Sequence, residues 1–213
     1  MPIKHGRFSV GTVACLTVFI SSSLYAQDSS AKCAEMAKFQ SRQMAATITV
    51  ARMVPPGPMA AGPGAPPNTP SVILPAYCRV EGVVDSRTGV GGANYGIGFA
   101  IAMPANWTGR FLMQGGGGLN GVIREPVGIQ AVGNVPALTR GYAVASNDTG
   151  HKGGTFDGSF MPDQQAALDF YFEANGRFAL LAKEIVSAYY GRPVEHSYFV
   201  GCSTDGREAM IMS

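Results

Sequence analysis

From residue 142 onward the chain switches repeatedly between two hydrophobic periods, and that switching limits its possible folds more than any other feature. YAVASND (142–148) is an apolar run ending in polar residues, as a buried strand does. PDQQAALDFYFEA (162–174) opens with Pro162 and Asp163, both suited to a first helical turn. NGRFALLAKEIVSAYYG (175–191) sets Phe178, Leu181, Ile185 and Tyr189 on one stripe at helical spacing, with Gly191 as its stop. SYFVG (197–201) reads as strand again, and GREAMIM (206–212) begins a last helix. Strand and helix in alternation predict an α/β fold, a largely parallel sheet with flanking helices. No repeat of solenoid or propeller period interrupts it.

The first half has a different texture. CRVEGVV (78–84) and YGIGFAIAMP (95–104) are β-type runs around a glycine-rich turn and predict a hairpin. RFLMQ (110–114) is a short buried-strand candidate that runs into GGGGLNG (115–121). AKCAEMAKFQSRQMA (31–45) predicts a short helix. VPPGPMAAGPGAPPNTPSVILP (54–75) carries eight of the 14 prolines, so an irregular, partly extended connection is expected there.

Residues 1–26 have the form of a secretory leader, with Lys4 and Arg7, the apolar run FSVGTVACLTVFI (8–20), and SSSLYA ending at Ala26. That run is too short for a stable membrane anchor, and too little of it precedes Cys15 for a lipoprotein site. Without the leader, 16 basic and 14 acidic residues become 14 and 14. A neutral surface leaves no electrostatic footprint for nucleic acid. Three cysteines, Cys33, Cys78 and Cys202, then remain in an oxidising compartment, so two can pair and one is left over. A Cys33–Cys78 bridge would close the proline-rich stretch into a loop. The expected organisation is a leader (1–26), a helix and proline-rich segment (27–77), and the start of a catalytic domain (78–213).

Gly201-Cys202-Ser203-Thr204-Asp205 falls where a strand turns into a helix. That is the setting of a nucleophile elbow, which exposes a serine hydroxyl above the sheet edge. The usual pattern is G-x-S-x-G, and here Asp205 takes the last place with Gly206 one step late. On spacing alone, a serine at a helix N-cap is an equal reading. GGGGLNG tips the balance toward chemistry, because glycines directly after a strand let backbone N–H groups point into a site. Gly116 or Gly117 together with Thr204 would then form an oxyanion hole. A phosphate loop is disfavoured, since the stretch lacks the Lys-Ser/Thr of a P-loop and the G-x-G-x-x-G spacing. Asp148 and His151 precede the serine, but three residues of separation make it hard for one to orient the other toward a third group. His196, just before a strand, reads as a surface or packing residue, and His5 belongs to the leader.

GCSTDGRE, the SYF before it, YAVASNDTGHKGG, AKEIVSAYYG and the YCRVEG element together resemble the tannase and feruloyl esterase family of secreted α/β-hydrolases. The resemblance runs roughly from Cys33 to the end. It implies that Ser203 is the nucleophile and that Cys202 is half of a disulfide to a cysteine beside the catalytic histidine. It places that histidine, the acid, and a lid domain holding a structural calcium ion downstream of the serine. The chain is thus expected to be the N-terminal part of a longer enzyme, with no cofactor of its own. The implied substrate is a small ester of an aromatic acid, such as a galloyl, feruloyl or terephthaloyl ester. A catalytically inert hydrolase-like fragment, or a module that binds an aromatic ligand, is the competing expectation.

The family's motif reads GCSTGGR, so Asp205 stands in place of a glycine. A negative charge there opposes the charge that the site must stabilise. In a full-length version, Asp205→Gly is expected to raise kcat for an aryl ester; equal or lower kcat contradicts that objection to Asp205.

Overall fold

The structure, a computed structural model, describes residues 28–59, 71–129 and 135–213. The leader and its cleavage site lie outside these residues, as does the middle of the proline-rich stretch. Six strands form one sheet in the order β1-β4-β5-β7-β6-β8. They are β1 (Ala46–Val54), β4 (Tyr77–Thr88), β5 (Asn94–Pro104), β6 (Arg110–Gln114), β7 (Ala143–Asn147) and β8 (His196–Val200). Two short strands, β2 (Gly57–Pro58) and β3 (Ile73–Leu74), pair separately.

The parallel half matches the α/β expectation: β6 pairs in parallel with β7 on one side and with β8 on the other. The other half is antiparallel, from β1–β4 through β4–β5 to β5–β7. A hairpin turn at 89–93 forces the β4–β5 pairing, because only antiparallel strands can be joined so briefly. The expected hairpin is therefore present, and its strands run longer than their apolar centres.

Two readings of the first segment need correction. The helix over 31–45 is shorter, covering α1 (28–35) and a 3₁₀ turn, Met36–Lys38. ATITVARMV, which follows it and for which the sequence reading names no element, is the edge strand β1. Its half-buried alternation is the mark of an outer strand with one face on the core. The described ends of the proline-rich stretch are also not wholly irregular, since β2 and β3 bond to each other across it.

Both faces of the central strands are covered, which explains why β5 and β7 read as continuous apolar runs. On one face lies α3 (Ala174–Tyr190), entered through α2 (Gln164–Leu168) and a single π-turn, Asp169–Glu173. Phe178, Leu181, Ile185 and Tyr189 are all buried, as their stripe requires, and Gly191 ends the helix at φ 70°. Phe178 stacks on Phe99 of β5 with ring centroids 5.1 Å apart. Leu112, Val144, Ala102 and Leu138 form the core of the opposite face. Asp163 is the N-cap of α2, accepting from the Ala166 N–H at 2.9 Å and pairing with Arg87 at the end of β4. That ion pair holds its carboxyl well below the usual carboxylate range. Among the described residues, no helix is long and apolar enough to cross a membrane.

Cys33 and Cys78 are bonded, with Cα atoms 5.5 Å apart and both side chains wholly buried, which ties α1 to the start of β4. A cross-link over 45 residues of sequence stabilises by roughly 4 kcal/mol in the chain-entropy picture. Replacing both cysteines by serine is therefore expected to lower the unfolding free energy by about 3–4 kcal/mol, read from urea denaturation curves. Alkylation without reductant should modify Cys202 and spare Cys33 and Cys78; labelling of either bridged residue contradicts the assignment.

Candidate active site

Parallel pairing places the C-terminal ends of β6, β7 and β8 side by side, so the segments that follow them meet. The Gly115 N–H donates to the Val200 carbonyl at 3.0 Å, joining the glycine loop to the end of β8. Gly121 donates to the Asp148 carbonyl at 3.1 Å, joining the same loop to the end of β7. Gln114, the last residue of β6, steadies the loop's far side by donating to the Glu125 carbonyl and accepting from the Gly128 N–H.

Ser203 lies between β8 and α4 (Thr204–Ile211) and is exposed. Its backbone sits at φ 62°, ψ −122°. A non-glycine residue held at positive φ stores on the order of 1–3 kcal/mol and requires a surrounding structure that enforces it. Here the enforcement comes from the strand behind and from the turn ahead, where Asp205 donates to the Cys202 carbonyl and Gly206 to the Ser203 carbonyl. The side chain makes no capping hydrogen bond to α4, so an N-cap role does not account for it. Thr204 is the first residue of α4, where N–H groups lack partners within the helix.

Asp205 joins the two halves of the site. Its Oδ1 accepts from the Gly117 N–H at 2.6 Å, and it is only 2% exposed. Of the two loop glycines predicted to supply an oxyanion donor, Gly117 is thus already engaged. Gly116 offers its carbonyl to the Arg124 guanidinium on the loop's other side. The room for Asp205 comes from two neighbours: a side chain on Gly115 would overlap its carboxyl, and one on Gly201 would overlap its Cβ. One turn further along α4, Glu208 is equally buried and accepts from Asn120 Nδ2 at 2.8 Å. Neither Asn120 nor Glu208 was singled out from the sequence. Asp205 and Glu208 share a helix face by their i, i+3 spacing, which was the available signal; nothing local points to Asn120, which is 88 residues away.

The residues upstream do not assemble a base for Ser203. Asp148 Oδ1 accepts from the Gly98 and Gly150 N–H groups at 2.9 and 3.0 Å, and its carboxyl is pushed up to about 7 by burial. His151 is 1% exposed, stacks on Phe160 and hydrogen-bonds neither Asp148 nor Ser203. Burial pushes its pKa down. His196 is exposed at the start of β8, opposite the end that carries Ser203. Cys202 is exposed and unpaired. No group of three or more His, Cys, Asp or Glu among the described residues is placed to hold a metal ion.

Buried carboxyls make stability depend on pH. Burial, and then the neighbouring Asp205, push Glu208 up to about 7. A carboxyl whose pKa is higher folded than unfolded binds its proton more tightly in the native state. Its contribution is full below about 4 and is lost as pH rises through about 7. His151, lowered, has the opposite sign, but only below its unfolded value near 6.5. Four raised carboxyls, Asp148, Asp169, Asp205 and Glu208, outweigh one lowered imidazole, so the melting temperature is expected to fall from pH 5 to pH 8. Asp148→Asn keeps the acceptor for both glycine amides and should remove part of that fall; an unaltered slope contradicts the assignment.

The chain's relatives share this architecture. A family model described as tannase and feruloyl esterase matches residues 78–213. Mono(2-hydroxyethyl) terephthalate hydrolase of Piscinibacter sakaiensis is 38% identical over 157 residues, covering 70% of this chain and 26% of that protein. Probable feruloyl esterase B-2 of Aspergillus flavus is 37% identical over 110 residues, 52% of this chain and 20% of the relative. The crystal structure of feruloyl esterase B from Aspergillus oryzae superposes with a TM-score of 0.65 at 25% identity, covering 84% of this chain and 33% of that one. The chain therefore spans between a fifth and a third of the length of these relatives.

Proposed function

The chain belongs to the tannase and feruloyl esterase family, and on that premise we propose that it carries the nucleophile half of a secreted serine carboxylic ester hydrolase. The observation that supports this most directly is the backbone of Ser203, at positive φ and exposed at the turn from β8 into α4. Such a turn lifts a hydroxyl clear of the strand and aims it over the sheet edge.

In this reading Ser203 Oγ attacks the ester carbonyl, and its proton passes to a histidine expected, from the family resemblance, downstream of the serine. The Thr204 N–H and a glycine N–H of 115–118 hold the negative oxygen of the tetrahedral intermediate. Collapse of that intermediate expels the alcohol and leaves an acyl group on Ser203, which water then releases as the acid. The substrate class is a small ester of an aromatic acid, as the names of the relatives suggest. Export rests on the leader at 1–26.

The Asp205 carboxylate on the Gly117 amide favours a second reading, in which the chain by itself is a hydrolase-like module without turnover. A p-nitrophenyl ester separates the two. The enzyme reading expects a burst of p-nitrophenol equal to the enzyme concentration, lost in Ser203→Ala. No burst supports the second reading, and a burst that survives in Ser203→Ala overturns the assignment of Ser203.

A further inference from the structure

We propose that the Asp205 carboxylate is a built-in occupant of the anion cradle beside Ser203, and that it competes for the Gly117 N–H with any anionic oxygen formed there. The inference rests on the reading of Ser203 and the glycine amides as an acyl-transfer site, and it adds what occupies that site at rest. From sequence alone, Asp205 is an opposing charge nearby. In the structure it is a direct ligand of one of the two candidate donors, at 2.6 Å.

Three observations carry the occupancy. First, the contact is a charge-assisted hydrogen bond to a backbone amide, the same interaction by which an oxyanion hole holds its ligand. Second, the carboxyl is 2% exposed and fills the space over Gly115 and Gly201, so no vacant volume remains at that point of the loop. Third, the loop cannot easily turn its amide elsewhere. Gly115 and Gly121 tether its two ends to β8 and to the residue after β7, and Asn120 is held by Glu208.

The charges around Asp205 make the occupancy sensitive to protonation. The amides of Gly116 and Gly117 and the Arg124 guanidinium face it from the loop side. On its own helix it faces Glu208, which is in turn approached by Asn120, Asn175 and Arg207. Burial is the largest influence and disfavours the ionised form, whereas the amides, the guanidinium and a hydrogen bond with Glu208 favour it. A protonated Asp205 loses the charge that makes it a strong acceptor, and the cradle becomes open to an anion from outside.

Benzoate, an aromatic carboxylate without a scissile bond, tests this on the full chain. At about pH 7, benzoate is expected to bind Asp205→Gly at least about tenfold more tightly than the parent by calorimetry. Asp205→Asn, neutral but still able to accept from Gly117, should fall between them. Equal affinity in all three overturns the proposal. Should Asp205→Gly not fold, the comparison of Asp205→Asn with the parent decides: a gain supports occupancy and no gain overturns it. Independently, the Gly117 amide proton resonance of the parent should shift with pH along one transition above the ordinary aspartate range, and by less in Asp205→Asn; a resonance that does not respond to pH also overturns it. The p-nitrophenyl burst tests turnover at Ser203 itself, so a gain in benzoate binding without a burst would favour the module without turnover and leave the occupancy standing.

Discussion

The site depends first on the register by which β6 pairs in parallel with both β7 and β8. Parallel strands end on the same side of a sheet, so three segments with no sequence proximity are delivered to one place: 115–121, 148–153 and 201–205. Two backbone hydrogen bonds then lock the middle segment to its neighbours, Gly115 to Val200 and Gly121 to Asp148. The antiparallel half, with the hairpin β4–β5 and the edge strand β1, enters that convergence only through β5, whose Gly98 N–H holds the Asp148 carboxyl. Its part is to extend the sheet so that α3 has enough apolar surface to cover, with Phe99 under Phe178 as the central contact.

Three buried carboxyls lie on the segments that converge at this end of the sheet. Asp148, Asp205 and Glu208 are each 2% exposed, which ordinary packing does not favour for carboxyls. Each has donors: glycine amides for Asp148, the Gly117 amide for Asp205 and the Asn120 amide for Glu208. The satisfaction is incomplete, because Glu208 Oε2 and Asn120 Oδ1 have no partner. Burial pushes all three carboxyls up, to about 7 for Asp148 and for Glu208. The contacts that join loop to helix, through Asp205 and Glu208, therefore respond to pH.

How much of this the sequence reveals depends on whether the signal is local. The α3 stripe, its glycine stop and the β4–β5 hairpin are legible because period and turn chemistry lie within a few residues. Ser203 is legible for the same reason, as a small-residue turn between an apolar strand and a helix. Strand β1 is not, because a half-buried edge strand such as ATITVARMV gains its definition from the β4 partner that comes some thirty residues later. Sheet order is equally non-local: the antiparallel contact between β5 and β7 leaves no trace in either strand. The pairing of Asn120 with Glu208 is invisible for that reason, although each residue stands inside a motif that draws attention. The link between Asp205 and Gly117 has the same character, since the spacing shows only a charge near a turn.

Asp205 also shows that folding and chemistry place separate demands on one position. A carboxylate two residues past an elbow sits at the positive end of a helix, which favours it by a few tenths of a kcal/mol to about 1 kcal/mol. Gly115 and Gly201 leave the volume that its side chain needs, so the turn at Ser203 forms without displacement of its neighbours. The fold therefore accepts aspartate where the family motif has glycine. The chemistry is affected differently, because the group that satisfies the Gly117 amide in the resting protein has the charge and hydrogen-bonding pattern of the species that amide would hold during acyl transfer. A position can thus be well accommodated in the fold and still alter what the site is able to bind.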